Sequence, residues 1–389
     1  MKLAIIGGGA SGLFLASYLK RKNASIDITI YERNKGLGRK LLATGNGKCN
    51  FMNYKAIPSD YNNEDFMANV FGICPKDELL NYFQSLGLVF KFDNEGRMYP
   101  VSESAESILS LFVNDLKDTK VLLETTVENI KVSNDKYVIN NKDTYDFVIL
   151  ASGTNASIDL KKVDSTYKYL NNLNLNMVNT RPSLVGFKSK ENLSKLFGYR
   201  SKAKVTYFVN NHPIHRESGE VIFKKDGISG ICIMNISQLY ENEHKAYLTL
   251  DLLEGYEPNE LIFRINQRKK ENDNPRYYLS GVCHPKMIEY LISERITNPE
   301  DVIYNLKNFK ITILDTYDES NAQVLKGGIS VDEINSDFSL KKYNKIYVTG
   351  ELLDIDGRCG GYNLTFAFTS AMIAAKSILE KYENRTNRV

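Results

Sequence analysis

The chain has 389 residues, 42% hydrophobic and 25% charged, so it can bury more than one core and is not a disordered polymer. Its 50 basic and 47 acidic residues leave a net charge of +3, which argues against a dedicated nucleic-acid surface. Five widely spaced cysteines without a CxxC, and four histidines at no ligand-like spacing, signal neither a disulfide framework nor a metal site and suit a reducing cytoplasm.

Residues 3–6 form a short apolar run, then come glycines and an apolar helical pattern through Leu13, Ala16 and Leu19. The glycines interrupt what would otherwise pass for a signal peptide, so a buried strand running into a helix is the better reading. Residues 27–31 read as a second strand, completing a βαβ unit with a parallel pair. Residues 36–53 carry loop chemistry. Helices are predicted at 75–86 and 103–116, and strands at 121–124, 127–132, 137–139 and 146–150. Beyond Asn176 the pattern changes to short strands at 184–188, 203–209, 213–216, 220–224 and 246–250. Helices at 258–271, 285–295 and 299–308 each open on a proline, which fits a first-turn position. Strands return at 310–314, 322–325 and 345–348, before a glycine-rich turn and a last helix at 362–381. No segment approaches a membrane span. The organisation is an α/β chain in which a nucleotide-binding domain is interrupted by a β-rich insertion carrying a small helical piece.

Gly7-Gly8-Gly9-Ala10-Ser11-Gly12 fits GxGxxG between a strand and a helix. Gly7 permits a tight turn, Gly9 lets the backbone approach a pyrophosphate, and Gly12 lets helix and strand pack closely. The helix start then aims free N–H groups at the phosphates. Glu32, at the end of the next strand, can accept hydrogen bonds from both ribose hydroxyls and would repel a 2′-phosphate.

The fingerprint does not choose between FAD and NAD. An NAD domain would usually go straight into another helix and strand. Here Gly36-Leu37-Gly38-Arg39-Lys40 and Gly45-Asn46-Gly47-Lys48-Cys49-Asn50 make a donor-rich run able to follow a long cofactor towards a flavin ring. At the other end, Gly350-Glu351 follows a strand, and Asp356-Gly357-Arg358-Cys359-Gly360-Gly361-Tyr362-Asn363 precedes a helix. That helix start offers a second dipole end, and Gly360 and Gly361 have no side chains to block a flavin's approach.

The run from Gly38 to Asn50 and the Asp356–Asn363 pattern resemble the BaiN and aminoacetone-oxidase-like family of NAD(P)/FAD-dependent oxidoreductases. Weaker matches are Gly96-Arg97-Met98-Tyr99-Pro100-Val101-Ser102, Gly219-Glu220 with Gly227-Ile228-Ser229-Gly230, and Gly327-Gly328-Ile329. Leu325 departs from the pattern, which has a threonine near that position. The resemblance implies a split Rossmann-type FAD-binding domain, residues 1–175 and 325–389, with a β-barrel-like insertion at 176–324 whose helical part spans about 256–309. It implies contacts to non-covalent FAD from Gly7, Gly9, Gly12, Glu32, Arg39, Lys40, Asn46, Val127, Ala151, Gly350, Asp354, Gly360 and Asn363. The neighbouring candidates in the same segments are Ala10, Ser11, Arg33, Gly38, Gly45, Gly153, Glu351 and Gly361.

Asn46, Cys49, Asn50 and Tyr362 are the candidates to face the flavin, while the catalytic residue itself stays open. Cys49 and Cys359 suggest a redox pair, but without a CxxC they read better as small neighbours of the ring. His215 and His284, lone histidines, read as solvated side chains rather than acids. The expected reaction is hydride or electron transfer through FAD on a small-molecule substrate, with NAD(P)H as a transient donor or oxygen as acceptor. The rival readings are a flavin-bearing RNA-associated factor and a non-catalytic flavin sensor.

Overall fold

The computed structural model describes residues 1–133, 136–156, 168–242 and 245–386. Two compact units divide it: residues 1–181 with 324–389, and residues 182–323.

The first unit is built on a five-stranded parallel sheet in the order Ile346–Val348, Phe147–Leu150, Lys2–Ile6, Asp27–Tyr31, Lys120–Leu122. These strands are short and nearly all apolar because helices and loops cover both faces of a parallel sheet. Lys2–Ile6 is buried from its second residue on. From this central strand the chain first builds outward on one side, to residues 27–31 and 120–122. It then returns to build on the other side with 147–150 and 346–348. The reversal lies between Lys2–Ile6 and Phe147–Leu150, the place where open α/β sheets bind ligands at the carboxyl ends of their strands.

Helix Ala10–Lys22 packs against the last helix, Tyr362–Thr386. Phe14 meets Phe368 at 5.3 Å, and Tyr82, Phe83 and Phe112 close an aromatic cluster around them. The two ends of the sequence therefore share one core. Two small antiparallel sheets lie beyond the main one. Met52–Asn53, Arg97–Pro100 and Phe90–Phe92 form the first, with Arg97–Pro100 in the middle; Ile130–Ser133, Lys136–Ile139 and Asp143–Tyr145 form the second.

The second unit is a closed six-stranded barrel of Phe187–Ser189, Gly227–Ser229, His212–Phe223, Arg200–Val209, Ala246–Asp251 and Phe309–Thr316. Alternation decides which residues fill it: Ala203, Val205 and Tyr207 point inward along one strand and are buried, while Lys202 and Lys204 stand outside. The helices Pro258–Glu271, Pro285–Ser293 and Pro299–Lys307 each begin at the expected proline.

Several local readings change, strands Phe90–Phe92, Arg97–Pro100 and Met177–Ser183 among them. The segments 213–216 and 220–224 are one strand, His212–Phe223, because Glu217, Ser218 and Gly219 continue its pairing with Val205, Lys204 and Ala203. The 36–53 loop contains a helical turn, Arg39–Ala43. Helices Glu64–Ile73 and Ile231–Ser237 have no counterpart in the sequence reading. The former carries an Asn63 cap on Phe66 N–H, a sequence signal that was available.

Candidate functional site

The glycine turn sits at the reversal point of the sheet. Gly7 has φ +111°, and a Cβ there would lie 2.3 Å from Ala151 O. A Cβ on Gly12 would lie 2.2 Å from Gly7 O. Both glycines are therefore demanded by the protein's own packing. Gly9 is different: it has φ −88°, and a Cβ on it would meet nothing within 4 Å. Gly9 also precedes a 13-residue helix whose amino terminus has no side-chain cap. The N–H groups from Ala10 and Ser11 onward therefore begin beside open space, which fits an anionic pyrophosphate.

Glu32 is 6% exposed. Its Oε2 accepts from Gly8 N–H (2.9 Å) and its Oε1 accepts from Asn34 N–H (2.8 Å) and Asn34 Nδ2 (2.6 Å). The carboxylate thus fixes the turn. Arg33 Nη1 donates to Asn155 Oδ1 and Arg39 Nη1 to Asn34 Oδ1, both at 3.3 Å. Val127 is buried shortly after Thr125, whose N–H donates to Glu32 O. A Cβ on Gly38 would press on Leu109, whereas one on Gly153 would meet nothing.

The carboxy-terminal segment joins the turn directly. A Cβ on Gly350 would lie 2.9 Å from Ser11 Oγ. Lys40 pairs with Glu351 at 2.5 Å, and Glu351 Oε1 accepts from Thr154 Oγ1 (2.5 Å) and Leu325 N–H (3.3 Å). Leu325, the departure from the family pattern, is a buried strand residue whose backbone supplies the polar contact. Asp354 Oδ1 accepts from Gly327 N–H (2.9 Å) and Asn62 Nδ2 (3.1 Å). Lys40, Glu351 and Asp354 are therefore engaged in bracing the loops they were expected to lend to a cofactor.

Residues 44–47 form a 3-10 turn in which Gly45 and Asn46 both have positive φ, and Asn46 is exposed. Cys49 is fully buried, and that burial pushes its thiol up to about 11 against a weaker opposing hydrogen bond with Thr44. A thiol so held is a poor nucleophile at neutral pH, which speaks against a Cys49–Cys359 redox pair. Asn50 is also buried, and among the described residues its Oδ1 has no hydrogen-bond donor.

At the last helix, Asn363 Oδ1 accepts from Gly357 N–H (2.9 Å) while its Nδ2 donates to Gly357 O (2.8 Å), closing residues 357–363 into a loop. Asn53 Nδ2 donates to Gly360 O (2.9 Å). The expectation that Gly361 is bare to admit a flavin needs correction. With φ +94°, a Cβ there would lie 2.6 Å from Asn50 Oδ1 and 2.7 Å from Met52 C, so the protein backbone itself requires the glycine. The Tyr362 ring stands edge-on to Tyr61, 6.2 Å away, and Tyr61 Oη donates to Tyr362 O (3.0 Å).

Sequence reasoning sets Tyr99 and Tyr362 in motif context and prefers Tyr362 for lining the site, but does not show that the ribbon carrying Tyr99 joins the two loops. Arg97 lies beside Gly360, where a Cβ would be 3.2 Å from Arg97 Cδ, and Tyr99 lies beside Gly45, where a Cβ would be 3.8 Å from its Cε1. The weak motif match from Gly96 to Ser102 was the available signal.

The chain matches the HI0933-like protein Rossmann domain over residues 1–377. It is 33% identical over 408 aligned residues to the 3-dehydro-bile acid delta(4,6)-reductase of Clostridium scindens, covering 98% of this chain and 99% of that protein. It is 26% identical to the ribosomal RNA dihydrouridine synthase of Haemophilus influenzae, covering 96% of this chain and 97% of that protein. Among solved structures, the open conformation of a flavocytochrome c3 fumarate reductase aligns with 96% of this chain and 78% of its own, at 14% identity and a TM-score of 0.45.

Proposed function

This chain belongs to the HI0933-like Rossmann family, and from that premise we propose that it is an FAD-dependent oxidoreductase. In this reading it holds FAD non-covalently and uses NAD(P)H to saturate an electron-poor carbon–carbon double bond in a small organic molecule. The observation that carries the cofactor assignment is the space at Gly9, open in front of an uncapped helix and at the reversal point of the sheet. The direction of the chemistry rests on the relatives. One is named a delta(4,6)-reductase and the other a dihydrouridine synthase, and both names denote the addition of two hydrogens.

FAD, when bound, supplies two-electron hydride chemistry that no side chain here can provide. The residues that would hold it are Gly9, Ala10 and Ser11 at the pyrophosphate, Glu32 at the ribose, and the 44–50 and 357–361 loops on either side of the ring. The chain's own work is positional. Glu351 ties Lys40 to Thr154, Asp354 ties Asn62 to Gly327, and Asn363 closes its own loop, so the chain's own side chains brace the 357–363 loop and the segment that leads into it. All five cysteines are free, in keeping with a cytoplasmic enzyme, and among the described residues no helix is long and apolar enough to cross a membrane.

A second reading keeps the flavin and replaces the small molecule with RNA, prompted by the 26% identity to the ribosomal RNA enzyme. RNA binding that weakens steeply with salt would favour it.

One experiment separates these readings. The purified protein is denatured to release its flavin, and a second portion is reduced anaerobically with NADH or NADPH. That portion is then mixed with cyclohex-2-en-1-one, with a 3-oxo-4-ene steroid, or with air. Release of FAD and reoxidation by an enone are the expected results. Reoxidation by air alone points to an oxidase, and inertness to all three points to a flavin sensor. Release of FMN, or no flavin after reconstitution, overturns the assignment.

A further inference from the structure

The middle strand of the small sheet, Arg97–Pro100, turns Met98 and Pro100 into the core and leaves Arg97 and Tyr99 half-buried on the opposite face. That face lies against both candidate flavin loops. Arg97 lies beside Gly360, Tyr99 lies beside Gly45, and Cys359 and Lys48 both act electrostatically on the phenol. Lys48 is held in place by Glu103 at 2.8 Å, and Arg97 by Asp93 at 2.7 Å. Among the described residues, no side chain or backbone group hydrogen-bonds to Tyr99 Oη. Two other tyrosines of this region are spoken for: Tyr61 Oη donates to a backbone carbonyl and Tyr54 Oη donates to Asp77. An uncommitted phenol where two cofactor loops converge, flanked by two cations, is the arrangement a proton donor needs.

We propose that Tyr99 is a catalytic acid, delivering the proton that accompanies hydride transfer to the substrate. The proposal rests on the reductase reading above. Saturating a double bond conjugated to a carbonyl adds a hydride at the β carbon and a proton at the α carbon. The hydride comes from FAD reduced by NAD(P)H, and the proton leaves Tyr99 Oη for the α carbon. The phenolate left behind faces Arg97 and Lys48, which favour it, and Asp93 and Cys359, which oppose it, until water returns the proton. Burial, the largest influence, raises the phenol above its ordinary value, so the donor is protonated throughout the neutral range.

The test compares full-length, FAD-loaded protein with its Tyr99→Phe variant, which keeps the ring and removes only the hydroxyl. FAD occupancy, reduction by NAD(P)H, and binding of unreactive cyclohexanone, read from the bound flavin's visible spectrum, are expected to change by no more than about twofold. Reoxidation by cyclohex-2-en-1-one is expected to slow by about 100- to 1,000-fold, the range typical for loss of a general acid. In the parent this rate falls at alkaline pH as the phenol ionises; in Tyr99→Phe that alkaline limb is absent. Equal reoxidation rates in parent and variant overturn the role of Tyr99 and leave the reductase reading standing. A parent whose reduced flavin reacts with neither cyclohexenone nor a 3-oxo-4-ene steroid overturns the reductase reading, and this proposal with it. An unchanged alkaline limb in the variant assigns the ionisation to another group and also overturns the proposal.

Discussion

The amino-terminal turn has four glycines among residues 7–12 and the carboxy-terminal loop three among residues 356–363, yet their glycines exist for different reasons. In the turn, Gly7 and Gly12 are pressed by backbone oxygens, while Gly9 between them faces open space. In the loop, Gly357 lies within 2.6 Å, measured to a built Cβ, of the Tyr61 ring, and Gly361 meets the Met52 backbone. Gly357 and Gly361 let protein approach protein, whereas Gly9 in the turn is left facing open space, the space in which we propose the pyrophosphate sits. A glycine motif therefore carries functional meaning only once the atoms around each member are known.

The largest expected effect is on folding, at the walled-in positions. Gly7→Ala and Gly361→Ala each force a Cβ into backbone at positive φ and are expected to destabilise the protein by at least about 3 kcal/mol. Urea unfolding of the purified variants measures this. Full stability in Gly361→Ala would mean that the loop is looser than drawn and would reopen a direct role for this glycine at the flavin.

Gly9→Val sharpens the contrast, because its backbone angles suit any residue and its surroundings are empty. Stability without flavin is expected to change by less than about 1 kcal/mol. FAD affinity is expected to fall at least about 100-fold, or about 2.7 kcal/mol, in a fluorescence titration. Glu32→Ala is expected to be milder for FAD, by about 1–3 kcal/mol, through lost charge-assisted hydrogen bonds. Unlike Gly9→Val it also loosens Gly8 and Asn34, so it lowers stability too. Unchanged FAD binding in Gly9→Val would place the cofactor elsewhere.

The smallest expected effect distinguishes how the two helices at the site are anchored. The last helix is tied by Asp337, which accepts from Ser377 Oγ (2.7 Å), Lys381 Nζ (3.0 Å) and Ser339 Oγ (2.5 Å). These bonds outweigh burial and hold its carboxyl at about 2, below the ordinary 3.8. A depressed folded-state pKa contributes stability above pH 3.8 that is lost as pH falls towards 2. Because Asp337 is only partly buried, this amounts to about 1 kcal/mol. Asp337→Asn is expected to flatten the stability profile between pH 4 and 2, followed by thermal unfolding. An unchanged profile would show that the anchor contributes nothing.

What the sequence determined by itself was local chemistry: the strand–turn–helix around Gly7–Gly12, the carboxylate at Glu32, the prolines that open three helices, and the family-like runs at both ends. Turns, caps and periodicity are set by neighbours a few residues apart, so they can be read in order. The tertiary structure alone decided which side of each residue faces protein. It brought Lys40 to Glu351, 311 positions later, and spent both on bracing the loops. It walled in Gly361, left Gly9 bare, buried Cys49 out of reactivity, and put Tyr99 between loops that are hundreds of residues apart. None of these outcomes follows from residue type, because each depends on contacts between segments whose pairing is fixed only when the two ends of the chain share one core.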